Sequence, residues 1–413
     1  MSVAATPVLR RDVKILGLVS AGHFISHFYS LCLPPLFLFI KDDIGASFAM
    51  LGFLMSVRSF ISGSMQIPAG FLTDRIGAKP VLIGGLALMA GATALMAIAP
   101  NYWVLLGLTV FIACGNSVFH PTDYAILNSS MSRNWIGRAF SVHTFAGHLG
   151  TALAPVVIVF IALHSDWRMA QMTVGLVGFA VMAGLALQWK DMQDDAIPQK
   201  KKKPAPSDTP VKPLTWRDEM AVMLTRPMII MSLFFTMTSL HSGGMQSFFV
   251  VGLTTLHDTT AEAAGAALSG YLLASAIGVL MGGVLADFTK RHDITAALAF
   301  AISAAILAVI TWFPMHEVIL IGIMVISGLL QGAIRPARDM MVRAAIPKGA
   351  TGKAFGFVSS GASIGGSLAP VLFGYFIDIG RADLVFYVLI GFTLLCVAAS
   401  VAPKEHRSVD VRS

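Results

Sequence analysis

Formal charge is scarce in this chain: Asp, Glu, Lys and Arg together make up 12% of its 413 residues, about half of what a soluble globular domain carries. A water-facing surface of that size cannot be dressed with so few charges, which excludes ordinary soluble folds. Cysteine is scarcer still. Cys32, Cys114 and Cys396 all fall inside apolar runs, so neither a disulfide framework nor a thiolate metal cluster is expected. A Walker loop and a His-Glu-x-x-His zinc motif are missing too, which leaves no signature of an ATP-driven pump or a metalloprotease. The sequence reads as a non-enzyme without a cofactor.

What fills the chain instead is hydrocarbon. Apolar residues account for 56% of it and the mean hydropathy is +0.75. Twelve apolar runs, from about 15–40 and 47–72 to about 354–377 and 384–402, are each long enough to cross a roughly 30 Å bilayer core. The expected fold is an all-α membrane protein with twelve transmembrane helices. Net charge is +7, yet its distribution argues against nucleic acid as a partner. Alternating sides along the twelve runs places 23 of the 29 Lys and Arg on the side of both termini and only Lys41, Arg168 and Arg381 opposite. By the positive-inside rule both termini are cytoplasmic.

The longest polar interruption, from Lys190 to Arg226, is rich in Pro, Lys and Asp and cannot bury a core. It divides the chain into 1–189, a six-helix bundle; 190–226, a cytoplasmic linker; and 227–413, a second bundle with a short tail. Residues 119–155 align without a gap on 334–370 at a constant offset of 215, matching Pro121 to Pro336, Gly150 to Gly365 and Leu153-Ala154-Pro155 to Leu368-Ala369-Pro370. The two bundles are therefore expected to be parallel repeats.

The stretch "GFLTDRIGAK", beginning at Gly70, resembles the loop signature of the major facilitator superfamily, and the twelve-span, two-repeat plan fits that family over the whole chain. The resemblance implies a secondary transporter of small molecules in a bacterial-type cytoplasmic (inner) membrane, working as a monomer with lipid and protons as its other partners. It also implies gating roles for Gly70, Asp74, Arg75, Gly77 and Lys79, with Gly70 permitting close helix contact. The second-half copy retains Gly283 and Asp287. "HFISHFYSLCLPPL" from His23 and "FHP" at 119–121 resemble the fosmidomycin-resistance branch of that family, which implies efflux; His27 stands where that branch carries an acid.

Polar side chains within the spans mark the candidate site, because a charge facing lipid costs about 3 kcal/mol or more and so turns toward a cavity or a partner. Asn116, His120 and Asp123 are spaced to share a helix face, and the offset of 215 carries them onto Gln331, Arg335 and Arg338. Paired stripes of this kind suit a substrate site between two halves. Arg58 and His241 join the substrate-binding candidates, and the arginines point to an anion. For proton movement the candidates are Asp123, His23, His27, His143, His148 and Asp339, since imidazole exchanges protons near neutrality. Arg58 could equally be a structural partner of Asp123. A His pair one turn apart can ligate a metal, which keeps uptake of a metal or its chelate, or of a carboxylate, as the alternative; a binding-only receptor is another.

Overall fold

The computed structural model describes residues 7–132, 136–192, 224–288, 291–345 and 351–401. Among them every regular element is helical, and twelve stretches are long and apolar enough to cross a membrane. Helix is what a chain must form in hydrocarbon, where each turn satisfies its own N–H and C=O groups without water. The twelve-span, all-α architecture read from the sequence is the one observed.

Prolines break two spans. The first (Arg11–Ile44) is built from most of a helix Pro7–Leu31, a 3-10 turn Pro34–Leu36 and a second helix Phe37–Ile44, because Pro34 and Pro35 have no N–H to extend the ladder. The fourth (Tyr102–Ser130) divides into helices Tyr102–Asn116 and Phe119–Ser130. Pro121 removes the donor that would have reached the Ser117 carbonyl, and the chain turns at 117–118.

The segment after the sixth span is tied to the first half. Arg11 donates to the Asp191 carbonyl at 2.9 Å, Lys14 pairs with the Asp191 carboxylate at 3.0 Å, and Lys79 donates to the carbonyls of Trp189 and Met192 at 3.3 and 3.1 Å. Residues 190–192 are thereby tied to the first half; 193–223 lie outside the described residues.

The halves meet at the end of the bundle away from the termini. There the second span (Phe48–Ile76) crosses the eleventh (Ser360–Asp378), and the fifth (Arg138–His164) crosses the eighth (Ala261–Leu285). Glycine allows the first crossing: a Cβ on Gly52 would sit 2.1 Å from the Pro370 carbonyl oxygen, and one on Gly374 would sit 2.4 Å from that of Phe48. Asp378 fastens the seam by accepting hydrogen bonds from the backbone N–H groups of Phe48 and Ala49, both at 2.8 Å. These are orphan donors at a helix start, where a carboxylate is favoured by hydrogen bonding and by the helix dipole. At the other crossing the Val156 N–H donates to the Ser269 hydroxyl at 3.1 Å.

At the opposite ends of the same second and eighth spans, a Cβ added at Gly70 or Gly283 would meet nothing within 4 Å. The close helix contact expected at Gly70 is therefore not made in this conformation, and Gly283 makes none either. Packing between the halves lies at the other end, so the far side is shut.

Asp378→Ala removes one fastening of that closed side. The bonds are largely solvent-exposed, so we expect a loss of about 1 kcal/mol, roughly a fivefold shift toward the state open on that side. Nitroxide pairs on the far-side loops, read by pulsed electron spin resonance, measure it; an unchanged distance distribution contradicts the role.

Candidate functional site

Two glycines on the fifth span bring the first-half site together. A Cβ on Gly150 would lie 2.1 Å from the Phe24 carbonyl oxygen, and one on Gly147 would lie 2.7 Å from the His23 ring. With nothing between them, the first and fifth spans close until the His23 and His143 rings stack at 4.0 Å. Asp123 enters from the fourth span. Its Oδ2 lies 3.1 Å from His23 Nδ1 and 3.3 Å from His143 Nε2, and all three side chains are buried. The ring nitrogens do not aim squarely at the carboxylate, so these are close charge contacts more than well-directed hydrogen bonds.

The imidazoles continue outward. His27 lies 4.6 Å and His120 5.6 Å from His23 between ring centroids, His27 Nδ1 meets the Thr151 hydroxyl at 3.1 Å, and Tyr124 packs 6.0 Å from His120. His148, half-buried on the fifth span, is within electrostatic reach of both His23 and Arg335. One carboxylate and a succession of imidazoles thus run from a buried centre toward the other half. The ligand atoms of His23, Asp123 and His143 lie within 4.8 Å of one another, so this set could also hold an ion. The sequence by itself points only to the His23–His27 pair, one turn apart, for that purpose.

Replacing Gly150 by Val must force the first and fifth spans apart, since the obstructing atom is backbone. We expect destabilisation of about 3 kcal/mol, from the cost of overpacking, and disruption of the Asp123 contacts. Thermal unfolding in detergent reads the first; a melting temperature equal to the unsubstituted protein's would contradict the close approach.

The stripe expected along the fourth span is split by its break. Asn116 accepts from the Ser62 hydroxyl at 2.7 Å and donates to the Ser26 carbonyl at 3.4 Å, so its amide braces three spans of the first half. Arg58 does not pair with Asp123. It is partly buried overall, but its Nε and Nη1 are fully enclosed without a hydrogen-bond partner, and among the described residues it forms no ion pair. Cys32 and His27 are within its electrostatic reach.

In the second half Gln331 and Arg335, one turn apart on the tenth span, line the same small cavity as His241. His241 Nδ1 is engaged by the Thr393 hydroxyl at 3.0 Å. The side chains of Arg338, Asp339 and Asp287 lie outside the described residues. Gly243 and Gly244 sit in an unbroken helix, Arg226–His257, where a Cβ would meet Ala369 at 2.9 Å and the Phe373 ring at 2.3 Å, so both serve close packing. Gly361, Ser363 and Gly365 spell Gly-x-Ser-x-Gly, but within the helix Thr351–Asp378 they lack the strand-to-helix turn that exposes a hydrolase nucleophile.

Among the described residues, Asp74 and Arg75 form no ion pair and stand exposed at the end of the second span. Lys79 is bound to the 189–192 segment as described, and Gly77, at φ +97°, ends the helix in a conformation that favours glycine.

Comparison with known proteins settles the family. The model of the Major Facilitator Superfamily matches residues 19–259 and 237–412, two overlapping matches that together cover nearly the whole chain. The chain belongs to the major facilitator superfamily. It is a multi-pass membrane protein and a secondary transporter. A Bacillus subtilis (strain 168) protein described as an uncharacterized MFS-type transporter, YfnC, is 24% identical over 406 residues, covering 95% of this chain and 93% of that one. The probable sulfoacetate transporter SauU of Cupriavidus necator is 28% identical over 181 residues, 44% of this chain and 42% of its own length. Among solved structures, a bacterial homolog of the human lysosomal transporter Spinster superposes with a TM-score of 0.74 at 14% identity, covering 96% of each chain, which supports the shared fold.

Proposed function

We propose that this superfamily member carries a small organic anion across the inner membrane by alternating access, coupled to protons, with both termini in the cytoplasm. The observation that carries the anion is Arg58. A guanidinium whose Nε and Nη1 are enclosed in a membrane protein without a partner is costly unless something negative visits it. Arg335 on the cavity wall of the other half supplies a second cation, so an anion held between the halves contacts both. The relative described as a probable sulfoacetate transporter is named for an anion of this general kind.

Asp123 with His23 and His143 is the proposed proton carrier, and His27, His120 and His148 its route toward the substrate. In this conformation the far side is shut, so the substrate and the protons would exchange with the termini side. The signature-loop residues Asp74, Arg75 and Lys79 would then close that side in the alternate state, when Gly70 and Gly283 come into contact.

Export against protons follows from the likeness of the first span to the fosmidomycin-resistance branch. A second reading, uptake together with protons, is favoured by one feature: imidazoles that gain charge beside Arg58 strengthen the attraction for an anion. Proteoliposomes separate the two. Under an inward proton gradient, export against protons empties preloaded vesicles of the anion, whereas co-transport concentrates it inside; movement indifferent to the gradient removes proton coupling altogether.

A further inference from the structure

The cavity beside Arg335 is small, about 40 Å³, and its walls are unusually rich in hydroxyl groups for the interior of a membrane bundle. The seventh span contributes Thr238 and Ser242, the eighth Tyr271 and Ser275, and the tenth Gln331 with Arg335; Phe300 and Ile334 make an apolar floor. Two of the polar groups are already engaged. Thr238 donates to the Phe235 carbonyl at 3.0 Å, and His241 is held by Thr393.

The others are not. Among the described residues the hydroxyls of Ser242, Tyr271 and Ser275 have no hydrogen-bond partner in the chain and are open to the cavity, while Gln331 Nε2 is buried without one. A buried donor left unmet, as at Gln331, is destabilising, and three hydroxyls open to the same cavity can complete their hydrogen bonds only with something from outside the chain. Water can do this in an empty site. A substrate that displaces the water must reproduce its bonds to bind well, which a bare alkyl chain cannot.

Resting on the anion reading of Arg58 and Arg335, we infer that the substrate is a hydroxylated carboxylic acid of sugar-acid type. Its hydroxyl groups would exchange hydrogen bonds with Ser242, Tyr271, Ser275 and Gln331, and a C–H face of its chain would rest on Phe300. The cavity has room for one end of such a molecule, which leaves the carboxylate to the guanidinium groups. A site built to bond hydroxyls discriminates strongly against an analogue without them, because its own polar groups would then be stranded.

Binding to the purified full chain in detergent, measured by isothermal calorimetry, tests this with three probes. Gluconate has both features, hexanoate has the charge and chain length without hydroxyls, and sorbitol has the hydroxyls without the charge. Gluconate should bind at least tenfold more tightly than either. Tyr271→Phe and Ser275→Ala should each weaken gluconate binding severalfold while leaving hexanoate unchanged, an effect that general loosening of the fold would not produce. Hexanoate binding as tightly as gluconate overturns the hydroxylated class and leaves the anion reading intact. Sorbitol equalling gluconate overturns the anion reading. No binding of any of the three overturns the class.

Discussion

Arg58→Met is expected to make the protein more stable and inactive at once. The substitution keeps a side chain of similar length but removes a cation whose Nε and Nη1 are enclosed and which, among the described residues, has no carboxylate beside it, so the desolvation cost of those groups disappears. Thermal unfolding in detergent should shift upward, as when a buried charge is replaced by an apolar group of similar volume. Transport of the anion should fall at least a hundredfold, because Arg335 alone cannot hold an anion from both halves and close the cycle around it. The combination is diagnostic. A structural arginine would give the opposite pair, a lower melting temperature with transport largely kept, and that outcome would remove Arg58 from the site.

Asp123→Asn should separate proton movement from substrate movement. The amide has nearly the shape of the carboxylate, so the stack of His23 on His143 at 4.0 Å is preserved while the charge between the rings is lost. Proton flux accompanying transport, followed with a pH-sensitive dye inside vesicles, should drop by about two orders of magnitude. Exchange of labelled for unlabelled substrate, which needs no net proton transfer, should continue at a comparable rate. The groups facing Asp123 and its neighbours are His23 and His27 on the first span, Arg58 on the second, His120 on the fourth, His143 and His148 on the fifth and Arg335 on the tenth. None of these is a second carboxylate that could take over. Undiminished proton flux in the variant would exclude Asp123 as the carrier. If added Zn²⁺ bound the original protein tightly and the variant not at all, with proton flux the same in both, the triad would be a metal site.

The spans, the repeat and the family were legible because they depend on quantities that are local along the chain. A helix in hydrocarbon satisfies its own backbone, so a run of some twenty apolar residues is nearly sufficient to define it. The offset of 215 and the loop beginning at Gly70 are likewise patterns in one dimension. Even the polar positions announced themselves, since His23, Asp123, Arg58 and Arg335 are conspicuous against an apolar background.

Partnership was another matter. That Asp123 meets His23 and His143 instead of Arg58 follows from the rotation of the fourth span after its break at 117–118, and from the absence of a Cβ at Gly147 and Gly150. Ser242, Tyr271 and Ser275 gave no signal in the sequence, because a lone hydroxyl on a membrane helix bonds its own backbone as readily as a ligand; only the cavity shows that these do not. Asp378 likewise gave no signal in the sequence, because its partners are backbone N–H groups at the start of a helix 330 residues earlier. Sequence alone determined how many helices cross the membrane and which residues are too polar to face lipid. The tertiary structure decided which of those residues meet and which end of the bundle is shut, because both depend on how close and at what rotation helices far apart in sequence can pack.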